Sequence, residues 1–129
     1  MHQILVIEDN TELLNAYEAI LSTLGYEIVS AQNGVVGLSR LVEQPIDLVI
    51  CDSHMPHLDG YAVLNQLKRH PATAHLPVIL ITTDSPQQVS LRTTQAAPDA
   101  VFYKPVRLSA LVSMIEQLEK ASMKEVNPL

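Results

Sequence analysis

Ile46-Asp47-Leu48-Val49-Ile50-Cys51-Asp52-Ser53-His54-Met55-Pro56-His57-Leu58-Asp59-Gly60 combines three signals in one unit. An apolar run over 46–51 ends in an acid, a turn containing Pro and Gly follows, and Tyr61, Leu64 and Leu67 then fall at helical spacing ahead of Pro71. Four more apolar runs recur along the chain: Ile4-Leu5-Val6-Ile7, residues 26–29, Val78-Ile79-Leu80-Ile81 and residues 100–103. Three of the five are continuous rather than alternating, which suits strands covered on both faces, as in a parallel sheet. Helical stripes lie between them. Leu13, Leu14, Tyr17, Ile20, Leu21 and Leu24 repeat at i, i+3/i+4, with Asn10 as candidate cap and Gly25 as stop. Val35, Leu38, Leu41 and Val42 form another stripe, and Leu108, Leu111, Val112, Ile115 and Leu118 the clearest one. Residues 86–96 predict a short, loosely held helix, with Val89 and Leu91 as its large apolar residues and Thr93-Thr94 lowering its propensity. Residues 120–129 carry no core stripe and read as a frayed tail or remnant linker. Five alternations of strand and helix predict an α/β sheet with right-handed crossovers.

The 129 residues suit one domain, and 47% hydrophobic against 17% charged residues argues against disorder. Fourteen acids and eight scattered bases give a net charge of −6, which repels phosphate backbones, so no direct nucleic-acid binding is expected. One cysteine cannot form an intrachain disulfide and suits a reducing compartment. With no basic, apolar leader pattern and no run of about 18 apolar residues, the expectation is a cytoplasmic protein with no membrane partner.

Ligands of such sheets bind beyond the carboxyl ends of the strands. There the sequence delivers Glu8-Asp9 after the first run, Asp52 after the third, Thr82-Thr83 after the fourth and Lys104-Pro105 after the fifth. Each alone reads as a cap, a turn or a solvated charge. Together they would surround one hollow with three acids, a hydroxyl and an ammonium. Crowded carboxylates repel each other unless protonated or given a cation, and their oxygens suit Mg²⁺. Such a cation lets an anionic phosphoryl donor enter a negative pocket, Thr82 and Lys104 can meet the phosphoryl oxygens, and a carboxylate can itself be the nucleophile.

Glu8-Asp9, the segment Asp52-Ser53-His54-Met55-Pro56-His57-Leu58-Asp59-Gly60, Thr82-Thr83 and Lys104-Pro105 resemble, in order and spacing, the receiver domain of two-component response regulators. The resemblance runs from Ile4 to about Leu118. It implies a flavodoxin-like, doubly wound five-stranded parallel sheet, order 2-1-3-4-5, flanked by five helices, with a receiver domain over 1–122 and a tail or linker over 123–129. It implies Asp52 as phosphoacceptor, with Thr82 and Lys104 contacting the phosphoryl group. Mg²⁺ would be held by Glu8, Asp9, Asp52 and the backbone carbonyl of His54. Pro56, Gly60 and Pro105 would shape loops, Pro105 after a cis peptide bond. The donor would be a sensor histidine kinase or a histidine phosphotransfer protein, and the recipient an output domain or effector. A homodimer is a further expectation. The function implied is a switch, not a turnover enzyme: it catalyses only its own phosphorylation and dephosphorylation.

Four positions depart from or vary within the pattern. Val101 stands where the family usually carries an aromatic switch residue, which argues against a rotating aromatic there. Thr83 replaces the usual Ala or Gly, and His54 and Asp84 fill two variable positions; together with Val101 these are expected to tune phosphoryl lifetime or switching. Three other readings compete. A phosphohydrolase would want Asp-x-Asp where Asp9-Asn10-Thr11 stands, and a flavin carrier would want a hydroxyl-rich loop and more than 4% aromatics. A phosphorylation-independent receiver-like interaction module would keep the fold without the chemistry. A zinc site on His54 and His57 is not expected, because two histidines on one loop fall short of the usual ligand count.

Overall fold

The computed structural model describes residues 2–126. Among them five strands and five helices alternate: β1 (Gln3–Ile7), α1 (Thr11–Thr23), β2 (Glu27–Ala31), α2 (Gly34–Glu43), β3 (Leu48–Asp52), α3 (Gly60–Arg69), β4 (Val78–Thr82), α4 (Pro86–Arg92), β5 (Ala100–Tyr103) and α5 (Leu108–Val126). All strand pairs are parallel, in the order β2-β1-β3-β4-β5. The doubly wound, flavodoxin-like sheet implied by the family resemblance is therefore present.

The strand pleat sorts the apolar residues into two cores. Ile4, Val6, Ile50, Ile79 and Ile81 face Leu14, Tyr17 and Leu21 of α1 and Leu111 and Ile115 of α5. Their neighbours Leu5, Ile7, Val49 and Cys51 face the opposite way, onto Val63, Leu64 and Leu67 of α3, with Val36, Leu38 and Leu41 of α2 alongside. Every residue of β3 and β4 is buried, which is why their runs are continuous rather than alternating. Each large apolar side chain so buried contributes roughly 1.5–3 kcal/mol, so truncating Ile50 to Ala would cost about 2–5 kcal/mol. A third, smaller cluster joins Tyr61, Leu80 and Val89, with Val101 packed against it. Val89 is the only buried residue of α4.

Local signals place the helix ends. Asn10 caps α1 by accepting from the Leu13 N–H at 3.0 Å, and Gly25, at φ 95°, turns the chain out of that helix. Asp59 caps α3 through the Ala62 N–H. Ser85 and Gln88 form a capping box on α4, with Pro86 opening the helix.

Three expectations are corrected. α4 ends at Arg92 rather than 96, because the Thr93 hydroxyl donates to the Val89 carbonyl at 2.8 Å and closes the last turn. α5 runs to Val126 instead of fraying from 120: Lys120, Ala121, Met123, Lys124 and Glu125 are good helix formers. The final residues of the expected tail, 127–129, lie outside the described residues. Asp52 and Thr82 are the last residues of their strands rather than the first beyond them, since ladder pairing continues past the apolar run to Asp52↔Ile81 and Thr82↔Tyr103.

Candidate functional site

β2 and β3 flank β1 on opposite sides, so the connections leaving β1 and β3 cross to opposite faces of the sheet and leave a hollow at their carboxyl ends. Glu8 and Asp9 emerge there from β1, and Asp52 closes β3. One carboxylate oxygen of each lies within 4.8 Å of the other two. Glu8 and Asp52 are buried, at 2% and 6% exposure, whereas Asp9 is exposed. From β5, Lys104 brings its ammonium to 3.5 Å from Asp52 Oδ1 and 3.7 Å from Glu8 Oε1. Its backbone N–H donates to the Thr82 carbonyl at 2.8 Å, and a cis peptide bond joins it to Pro105.

One ammonium does not neutralise three acids. Burial, aided by the charge and hydrogen bond of Asp52, raises the Glu8 carboxyl to about 7, against the pull of the Asn10 N–H and Lys104. The pocket thus favours either a proton or a cation. A hard divalent ion with oxygen ligands answers this donor set, and Mg²⁺ suits it because it accepts a few carboxylates and keeps several waters. No sulfur or imidazole belongs to the cluster, whose donors are all carboxylate oxygens.

The loop after β3 is held tightly. Gly60 donates its N–H to the Ser53 carbonyl at 2.9 Å, and a Cβ on Gly60 would run into the Asp52 carbonyl. Only glycine permits that approach. His57 adopts φ 71° in the same loop, and Met55 is buried against the second core.

Behind the acids, Thr82 is fully buried. Its hydroxyl oxygen accepts from Ser53 Oγ at 2.6 Å and from the Asp84 N–H at 2.9 Å. The Asp84 carboxylate is bound twice, by the Tyr61 hydroxyl at 2.6 Å on Oδ2 and by His54 Nε2 at 2.6 Å on Oδ1. The Tyr61 bond, then those from His54 and the nearby Arg92 charge, hold the Asp84 carboxyl below its usual range. Burial and the Asp84 bond push the Tyr61 phenol up to about 12, against the Thr82 hydroxyl and Arg92, which pull it down. Arg92 lies 4.3 Å over the Tyr61 ring and pairs with Asp59 at 3.0 Å.

The structure brings Glu8, Asp9, Asp52 and Lys104 to one hollow, with Thr82 on the adjoining strand end. His54 and Asp84, singled out separately, form one pair. Val101 packs on the third cluster, and Tyr103 is partly exposed. Sequence reasoning passed over Ser53, Tyr61 and Arg92. Tyr61 stood in an apolar stripe, and its polar partner lies 23 residues away, so no local pattern marks it.

The family model for the response regulator receiver domain matches residues 4–116. A probable cyclic di-GMP phosphodiesterase of Vibrio cholerae is 39% identical over 113 residues, covering 87% of this chain and 25% of the relative. The probable transcriptional regulator ycf27 of Porphyridium aerugineum is 32% identical over 124 residues, 93% of this chain and 50% of the relative. The chain thus spans a quarter to a half of the length of these curated relatives. Among solved structures, the signal receiver domain of a histidine kinase from Syntrophus aciditrophicus superposes with a TM-score of 0.88 at 30% identity, covering 94% of this chain and 92% of that one. The response regulator TrrA of Thermotoga maritima, solved in complex with Mg²⁺ and BeF, gives 0.80 at 28% identity, covering 92% and 99%.

Proposed function

The chain belongs to the response regulator receiver family, and from that premise we propose that it is a phosphorylation-controlled signalling switch with Asp52 as acceptor. The observation that carries this reading is the Lys104 ammonium, 3.5 Å from Asp52 Oδ1 and 3.7 Å from Glu8 Oε1, in a hollow where Asp9 is the third acid. A carboxylate of Asp52 attacks the phosphorus of a phosphohistidine on a sensor kinase or phosphotransfer protein. The P–O bond forms as the P–N bond breaks, and the leaving imidazole takes up a proton. Glu8, Asp9, Asp52 and the His54 carbonyl would hold Mg²⁺, which when bound neutralises charge on the acids and on the incoming phosphoryl oxygens. Lys104 neutralises further charge and orients Asp52.

Once formed, the acyl phosphate carries about −1.5 to −2 of charge where the free carboxylate carried −1. The Thr82 hydroxyl turns toward it, drawing on the 82–85 turn. α4, β5 and α5 would form the face read by an output domain, an effector or a second copy. His54, Thr83 and Asp84 would set the lifetime of the phosphorylated state. Among the described residues no helix is long and apolar enough to cross a membrane, and a cytoplasmic setting suits a phosphohistidine donor.

The test is phosphotransfer from a small-molecule phosphodonor with Mg²⁺, followed by intact mass. Wild type should gain one phosphoryl group, lost on hydroxylamine treatment, and Asp52→Asn none. Equal labelling of both would refute Asp52 as acceptor; labelling of neither would favour a phosphorylation-independent module.

A further inference from the structure

The geometry points to Tyr61 as the positioning residue that carries the state of the Asp52 site to α4, acting from α3 through Asp84. This rests on the reading of Asp52 as phosphoryl acceptor and deepens it. Three observations converge on the one side chain. Its hydroxyl donates to Asp84 Oδ2 at 2.6 Å, and the Asp84 N–H in turn donates to Thr82 Oγ1 at 2.9 Å. Its ring is buried in the cluster that contains Val89, the only buried residue of α4. Arg92, in the last turn of α4, lies 4.3 Å over the same ring. Tyr61 therefore touches the polar turn at one end of α4 and the apolar and cationic anchors of the helix itself.

Val101 belongs to this account. It packs on the same cluster without any polar group, so β5 offers no aromatic hydroxyl there that could follow Thr82. Tyr61 supplies ring and hydroxyl from the opposite side of the cluster. For Thr82 to turn its oxygen toward a phosphoryl group, the Asp84 N–H must release it. The 82–85 turn then shifts, and the carboxylate that Tyr61 grips shifts with it. Because hydrogen bonds to a charged acceptor are among the stronger ones, the half-buried Asp84 carboxylate holds its 2.6 Å bond to the Tyr61 hydroxyl. The displacement is passed to the ring, and through the ring to Val89 and Arg92. Tyr61 and Arg92 lie far apart in the sequence, with β4 between them; only the fold brings the two ends of this linkage together.

The experiment uses the full chain, ¹⁵N-labelled, with Mg²⁺ and beryllofluoride as the acyl-phosphate mimic. Fluorine resonances report adduct formation at Asp52, and amide resonances over α4 report its response. Wild type should form the adduct and shift its α4 amides. Tyr61→Phe keeps the ring, so packing survives; it should form the same adduct yet lose most of the α4 shift. Asp84→Asn should lose it likewise, and the double variant should lose no more than either, because both act along one linkage. An adduct in Tyr61→Phe with wild-type α4 shifts overturns the role of Tyr61 while leaving the acceptor reading intact. Absence of any adduct in wild type overturns the acceptor reading and this inference with it.

Discussion

Replacing Glu8 by Gln should strengthen the metal-free fold and weaken the cation site, and pH separates the two effects. Glu8 is 2% exposed, and burial together with the charge of Asp52 raises its carboxyl from 4.5 to about 7. That displacement corresponds to roughly 3 kcal/mol between the protonated and ionised forms. Below pH 4.5 the group is protonated in folded and unfolded chains alike and costs nothing. Between 4.5 and 7 the unfolded chain loses its proton first, so stability falls as pH rises, and above 7 the whole cost is present. Gln carries no charge and keeps an oxygen for the Asn10 N–H, which donates to Glu8 Oε2 at 3.1 Å. In EDTA, urea unfolding should therefore show Glu8→Gln more stable than wild type by up to about 3 kcal/mol at pH 8, and by less than about 1 kcal/mol at pH 5. Magnesium should close most of that gap at pH 8: at a hundred times its dissociation constant it adds about 2.7 kcal/mol to whichever protein binds it. Wild type offers three carboxylates and the variant two. An advantage in EDTA that does not change between pH 5 and 8 would refute the claim that the acids hold uncompensated charge.

Gly60→Ala should cost about 2 kcal/mol or more in urea unfolding, because the added methyl meets the Asp52 carbonyl and no flexible side chain can yield; loss of under about 0.5 kcal/mol would mean that the loop moves freely. His54→Ala and Thr83→Ala should change the decay rate of phospho-Asp52, the first by removing the 2.6 Å contact with Asp84 that borders the site; unchanged rates in both would remove their tuning role. Asp59→Ala should cost about 1 kcal/mol through loss of the α3 cap, with the exposed Arg92 pair adding little. Amide exchange should be faster over α4 than over α1, since α4 buries Val89 alone while α1 buries Leu14, Tyr17 and Leu21; equal protection would contradict the weak seating of α4.

The parts of the fold legible in the sequence are those where one physical demand dominates. Residues 78–81 had to be a two-faced strand because nothing polar interrupts them, and Asn10 and Gly25 mark where α1 begins and ends because their backbone roles are local. The acids and lysine of the hollow were legible because each follows directly on an apolar run, so the strand alone delivers it. Strand ends were less so: Asp52 and Thr82 are polar yet remain in the ladder, since hydrogen bonding along β3–β4–β5 does not depend on side-chain polarity. α4 was overestimated because apolar spacing cannot reveal that Thr93 closes the helix with its own hydroxyl. Tyr61, Ser53 and Arg92 were missed for a related reason. Their roles consist of contacts across 23 to 33 residues of chain, and a stripe pattern reports only which face is buried.

What makes α4 suited to respond is a mismatch between local and tertiary stability. Its capping box, its opening proline and the Thr93 closure all act within the helix or at its ends, so seven residues stay helical as a unit. Its attachment to the domain is slight by comparison: Val89 is buried, while Leu91 is 77% exposed. Such an element shifts at low cost, because displacing it breaks few buried contacts. Beyond the exposed Arg92–Asp59 pair, the restraints are the 82–85 turn at its start and the stack of Arg92 on Tyr61 near its end. Both lead back to Asp84, and Asp84 leads to Thr82. A change of charge at Asp52 therefore has only one turn to displace before the whole helix must find a new seat.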